Sequence, residues 1–135
     1  MIEIRKNLGF CPQYDLLFDD LTLSEHLFFY SMVKGIPQNI NCVEIEQMLS
    51  MYNLKDNCHT LSGSVSGGMR RKLSIIMALT GGSKVVILDE PSSGMDPVSR
   101  RATWDILQHY KHNRTILLTT HYMDEADILG DRIAI

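Results

Sequence analysis

The run Val85-Val86-Ile87-Leu88 is wholly apolar and mostly β-branched, and it stops on two adjacent acids and a proline, Asp89, Glu90 and Pro91. A strand with one face in water alternates apolar and polar residues, so an unbroken apolar run predicts a strand covered on both faces, as in a parallel α/β sheet. Asp96 and Pro97 then cap and open a helix to about Tyr110. Beyond it, "RTILLTT" (Arg114 to Thr120) reads as a second buried strand, "YMDEADIL" (Tyr122 to Leu129) as a short helix, and "RIAI" (Arg132 to Ile135) as the start of a third strand. Strand, helix, strand, helix, strand at this spacing predicts a parallel sheet with right-handed crossovers.

Upstream, roughly Asn7 to Cys11 reads as a short strand ended by Pro12. "TLSE", Thr22 to Glu25, fits a capping box, and Leu23, Leu27 and Tyr30 at i, i+4 and i+7 predict a helix to about Val33. Ile45, Met48, Leu49 and Tyr52 repeat that pattern in a second helix. A third is predicted from about Met69 to Thr80, with Met69, Leu73, Ile76 and Met77 on one face and Gly81-Gly82 as the stop. The helices between about Thr22 and Thr80 form an all-α insertion. The expected organisation is therefore a single unit, with an α/β lobe from residues 1–21 and 82–135 and a helical subdomain from residues 22–81.

A chain of 135 residues is long enough for one domain with a modest core. The formal net charge of -3, with no long run of one sign, recommends neither a nucleic-acid surface nor a polybasic membrane patch. The densest basic cluster, Arg70-Arg71-Lys72, reads as a solvated helix face. The longest apolar run, Ile75 to Leu79, falls far short of the roughly 20 residues that span a bilayer, and the N-terminus lacks a signal-type apolar core. Cys11, Cys42 and Cys58 form no C-x-x-C pair, and their odd number suits free thiols in a reducing, cytosolic setting.

In an open parallel sheet, ligands bind outside the carboxyl ends of the strands. Asp89 and Glu90 lie at such an end, and His121 lies just past another. Consecutive strand residues point to opposite faces, so two adjacent acids share a site only where the strand gives way to a turn, which Pro91 places directly after Glu90. One carboxylate can then hold Mg²⁺ while its neighbour polarises an attacking water. An isolated pair of this kind also fits solvated or helix-capping acids. Ser66, Gly67 and Gly68 precede a helix whose unpaired N–H groups suit a phosphate, although these residues alone fit an ordinary helix cap better. Gln13 follows the first strand with a neutral side chain able to coordinate metal-bound water or follow a phosphate. Alone, neither it nor His121 indicates chemistry.

Taken in order, "CPQ", "SGGMRRKLS", "ILDEP", "SGMD", and "TTH" followed by "MDEADILGDRIAI" run along nearly the whole chain. With these motifs the sequence resembles the nucleotide-binding domain of an ABC transporter. "NLGFCPQYDLLFDDLT" and "HYMDEADILGDRIAI" resemble the A subfamily, whose members move lipids. The resemblance implies an α/β fold, a partial P-loop NTPase (RecA-like) parallel sheet whose helical insertion carries the signature motif. It implies that Gln13 is the Q-loop glutamine, sensing Mg²⁺ and nucleotide beside the transmembrane domain. Ser66, Gly67 and Gly68 would bind the γ-phosphate of ATP held by a second nucleotide-binding domain. Asp89 would serve Mg²⁺, Glu90 would be the catalytic base, Asp96 would lie across the dimer interface, and His121 would contact the γ-phosphate. Those roles suit phosphoryl transfer, which runs on positioning and charge stabilisation. The partners implied are a transmembrane domain, a second nucleotide-binding domain and, indirectly, a lipid, at the cytoplasmic face of a membrane; no nucleic acid is implied.

Two departures from the family pattern bear on these expectations. Val65 stands where the signature usually begins with leucine, and an upstream "LSGS", Leu61 to Ser64, is a decoy. The continuation "GGMRRKLS" fixes the alignment on Ser66 to Met69, leaving "LSGSV" as a small insertion or divergence. No G-x-x-x-x-G-K-[ST] occurs, and "GGSK" at Gly81 to Lys84 has the wrong spacing and precedes a strand. The chain is therefore expected to be the downstream part of a larger domain, binding MgATP poorly and turning it over negligibly without a P-loop. A non-catalytic interaction module that pairs with an intact domain through its signature face is the alternative. A soluble ATPase of the DNA-repair or chromosome type fits less well, since the motifs favour transporters and the acidic balance gives no help to DNA binding.

Overall fold

A computed structural model describes residues 1–135, the side chain of Ile2 excepted. Three short parallel strands, β1 (Leu8–Cys11), β2 (Val85–Asp89) and β3 (Thr115–Thr119), pair in the order β1-β2-β3. Helix α1 (Ile2–Asn7) precedes β1, and α2 (Leu23–Val33), α3 (Gln38–Met51) and α4 (Gly67–Leu79) lie between β1 and β2. Helix α5 (Pro97–Tyr110) joins β2 to β3, and α6 (Met123–Leu129) follows β3. The register sets Leu8 beside Val85 and Val85 beside Thr115, so Phe10, Ile87 and Leu117 form one row across the sheet.

The local signals act as their chemistry predicts. At α2 the Thr22 side chain accepts from the Glu25 N–H at 3.2 Å, and the Glu25 carboxylate accepts from the Thr22 N–H at 2.8 Å, completing the capping box. Helix α4 opens on Ser66, whose Oγ accepts from the Met69 N–H at 3.3 Å. It is closed off by Gly81 and Gly82 at φ +86° and +63°, left-handed values that only glycine adopts at low cost.

Helix α4 organises the core. Every residue from Leu73 to Leu79 is buried, the pattern of a helix surrounded by protein. Leu23, Leu27, Ile45, Met48 and Leu49 belong to the same apolar cluster, and α4 also lies against β1 and β2. At Gly9 a Cβ would stand 1.9 Å from the Ala78 carbonyl oxygen, so strand and helix meet backbone to backbone.

Several expectations are corrected. Val86 and Leu88 are fully buried, but Val85 is 42 % exposed, Phe10 54 % and Leu117 60 %, so the sheet is covered on one face only. Strand β3 alternates between half-buried and exposed residues and is not the buried strand its composition suggests. The reason is that α4 covers one face of β1 and β2, while the row Phe10, Ile87 and Leu117 faces the other way. The "RIAI" segment forms no strand. It pairs with neither edge of the sheet, and without a ladder partner its exposed backbone is solvated instead. Helix α1 was not anticipated from so short a segment, although Glu3 in its first turn and Arg5 and Lys6 in its last complement the helix dipole. Helix α3 starts at Gln38, directly after Pro37 and well ahead of its first buried apolar residue, Ile45; Ile40 and Val43 before it are exposed. Finally, Arg70-Arg71-Lys72 is not a uniformly solvated face, because Arg71 is 5 % exposed.

Candidate functional site

The carboxyl end of β2 gathers three of the sequence-predicted residues. Asp89 ends the strand, and Thr119, its register partner on β3, donates its hydroxyl to Asp89 Oδ1 at 2.5 Å. The Glu90 N–H points back at the same threonine, 3.1 Å from both its carbonyl oxygen and its Oγ1. Glu90 itself sits at φ +50°, so the chain turns out of the sheet at this residue and swings its carboxylate away from the strand. His121 Nδ1 lies 2.6 Å from Glu90 Oε2, with side-chain exposures of 59 % and 20 % respectively.

Behind His121 stand a tilted aromatic ring and a guanidinium. The Tyr122 ring lies 4.1 Å from the imidazole, and the Arg100 guanidinium covers Tyr122 at 4.0 Å, a cation–π contact that limits where the histidine can go. The Tyr122 N–H donates to Thr120 Oγ1 at 3.0 Å and fixes the turn that carries both rings.

The other predicted residues stand apart from this cluster. Gln13 is exposed on the loop after β1 and reaches the acid pair only through the backbone of its neighbour Pro12. Ser66 and Gly67 are exposed and Gly68 half-buried at the start of α4, where an added Cβ on either glycine would meet nothing within 4 Å. Asp96 caps α5, accepting from the Ser99 N–H at 3.1 Å; its hydrogen bonds to Ser99 hold its carboxyl below the usual carboxylate range. None of these hydrogen-bonds Asp89, Glu90 or His121. The described residues contain no cluster of three or more metal-ligating side chains, and no described helix is long and apolar enough to cross a membrane.

Sequence reasoning missed Arg71, Thr119, Tyr122 and Arg100. The signal for Arg71 was available. It lies four residues before Ile75 and seven before Ala78, on a helix that becomes apolar all round one turn later, so its side chain had to point inward.

A three-stranded parallel sheet flanked by helices, with an acid pair and a histidine gathered at its carboxyl end, defines a protein of the parallel α/β class. The sequence matches the family model for ABC transporter over residues 1–93, and the chain belongs to the ABC transporter family. Its relatives are of the A subfamily. Phospholipid-transporting ATPase ABCA3 of Homo sapiens is 61 % identical over 135 residues, all of this chain and 8 % of that protein. Retinal-specific phospholipid-transporting ATPase ABCA4 of Homo sapiens is 52 % identical over 132 residues, 98 % of this chain and 6 % of that protein. The chain thus spans less than a tenth of the length of these curated relatives. A solved structure described as the ATP binding subunit of an ABC transporter superposes with a TM-score of 0.86 at 26 % identity, covering 95 % of this chain and 54 % of the other.

Proposed function

We propose that this chain supplies the water-activating and signature portions of an ATP-hydrolysing module that drives lipid transport. The observation that carries the reading is the 2.6 Å contact between His121 Nδ1 and Glu90 Oε2 beside Asp89. With one oxygen engaged by His121, Glu90 keeps Oε1 to accept a proton from an attacking water. The imidazole donates Nδ1–H to that carboxylate. For Nε2 also to donate to a terminal phosphate oxygen, the ring must carry its second proton. Asp89 suits Mg²⁺, because Thr119 occupies Oδ1 and leaves Oδ2 free, and Mg²⁺ is ordinarily held by one or two carboxylates with substrate phosphates and waters. Bound there, the ion would neutralise charge on the phosphates.

In this reading residues 1–21 and 82–135 form the α/β core lobe and residues 22–81 the helical subdomain. Ser66, Gly67 and Gly68 offer the unpaired N–H groups of α4 to the γ-phosphate of ATP on a second nucleotide-binding domain. Asp96 crosses that interface. Gln13 faces the transmembrane domain at the cytoplasmic side of the membrane. The test joins these residues to a P-loop-bearing segment of a relative and measures Mg²⁺-dependent ATP hydrolysis. Glu90→Gln is expected to lower turnover by about 10²- to 10⁴-fold with ATP binding retained; unchanged turnover removes Glu90 as the base.

One observation favours a second reading. The 135 residues contain no P-loop of their own, yet Ser66 and Gly67 stand exposed at the start of α4. A non-catalytic module would pair through that face with an intact domain, and would capture it more strongly with ATP than without. Equal capture in both conditions overturns this reading.

A further inference from the structure

We propose that Arg71 is the positioning residue for Glu90, and that its guanidinium also ties Glu90 to the loop that carries Gln13. The inference deepens the proposed function and rests on its reading of Glu90.

An arginine side chain has five N–H donors in a planar fork, and here all five are used. Nε donates to the Pro91 carbonyl at 3.0 Å, and Nη2 to the carbonyls of Asp89 at 2.8 Å and Glu90 at 3.0 Å. Nη1 donates to the Pro12 carbonyl at 2.6 Å and to Asp15 Oδ1 at 3.1 Å. Pairing with Asp15 accounts for one of these bonds, so charge neutralisation does not explain the arrangement. Four acceptors are backbone carbonyls, and three of them belong to the consecutive residues Asp89, Glu90 and Pro91.

Three successive carbonyls reach one small cation only if the chain curls around it. In an extended strand they point alternately to opposite sides. The curl is supplied at Glu90 by its left-handed φ of +50°, a conformation that persists only where its surroundings over-determine it. The Glu90 N–H is held from one side by Thr119, and its carbonyl from the other by Arg71. Between those two anchors the side chain is delivered to His121. The bond to Pro12, immediately before Gln13, means that a displacement of that loop pulls on the same guanidinium.

The test reads the imidazole nitrogens of His121 by ¹⁵N NMR in the 135-residue chain, without nucleotide. Arg71→Lys keeps the charge but loses the fork. In this variant the His121 signals are expected to move to the positions they take in Glu90→Gln, while amide signals of α2 and α3 stay in place. Wild-type His121 signals in folded Arg71→Lys would overturn the proposal. Should Arg71→Lys not fold, Asp15→Ala removes one anchor of the guanidinium, and a smaller shift in the same direction is expected; no shift there also overturns it. This readout needs no ATP turnover, so a Glu90→Gln chain that still hydrolyses ATP would count against the base assignment and leave the Arg71 result standing.

Discussion

Among the described residues Glu90 is one of two non-glycine residues with positive φ, Asn53 being the other, and asparagine tolerates this region far better than glutamate. The left-handed conformation costs an L-residue roughly 1–2 kcal/mol. Its partner His121 is 59 % exposed, so the contact between them offsets little of that cost. Glu90→Gly is therefore expected to stabilise the chain by about 1 kcal/mol while removing its carboxylate, read as a higher urea midpoint. A lower midpoint would mean that the histidine contact outweighs the strain. The acid pair and histidine were legible through the ordered motifs around them, "ILDEP" and "TTH", which neither an isolated acid pair nor a lone histidine would have supplied. The inward direction of Arg71 could be read from its helical spacing, but its partners could not, because most of them are main-chain carbonyls, which every residue possesses and no sequence pattern marks.

The elements meet at two tight points. Gly9→Ala would push a Cβ against the Ala78 carbonyl, forcing β1 and α4 apart; the expected loss is about 1–3 kcal/mol, measured by thermal melting. The second point is the link from α4 to β2, where side chains from three places converge. Lys34, at the end of α2, donates to the Thr80 carbonyl at 2.7 Å and to Ser83 Oγ at 2.6 Å. Glu44 of α3 accepts from the Gly81 N–H at 3.3 Å, and Arg114 donates to the Leu79 carbonyl at 3.0 Å. Burial lowers the Lys34 ammonium to about 8 from its ordinary 10.5. Between those values the unfolded chain holds a proton that the folded chain has released, so this lysine makes stability rise with pH across the window. Cys11, whose thiol burial pushes up to about 11, acts in the opposite sense above its ordinary value of 9.0. The prediction is thus a difference: Lys34→Met should lose the rise between about pH 8 and 10 that the parent shows in urea midpoint once the shared thiol contribution is subtracted. Parallel curves would refute it. Helix α2 was legible from its capping box, whereas α1 was too short to establish a period, and the first apolar residues of α3, Ile40 and Val43, are exposed and lie off the face that Ile45, Met48 and Leu49 bury.

At the scale of the molecule, the uncovered sheet face dominates. Phe10 and Leu117 flank Ile87 in one row, with Val85 beside it, forming an apolar surface larger than isolated exposed side chains would make. Phe10→Thr combined with Leu117→Thr should sharply reduce the fluorescence of a hydrophobic dye such as ANS; unchanged fluorescence would locate the dye elsewhere. The apolar run from Val85 to Leu88 predicted this sheet and its parallel pairing. It could not reveal which face stays open, since a two-sided hydrophobic pattern records how a strand is meant to be covered rather than by what. The pairing of Leu8 with Val85 has a further consequence for biogenesis. At ribosomal speeds of about 5–20 residues per second, β1 leaves synthesis several seconds before its ladder partner exists. During that interval its hydrogen-bonding groups are open to any other nascent strand, so slowing translation across the α2 to α4 segment should lower the yield of native chain, and speeding it should help.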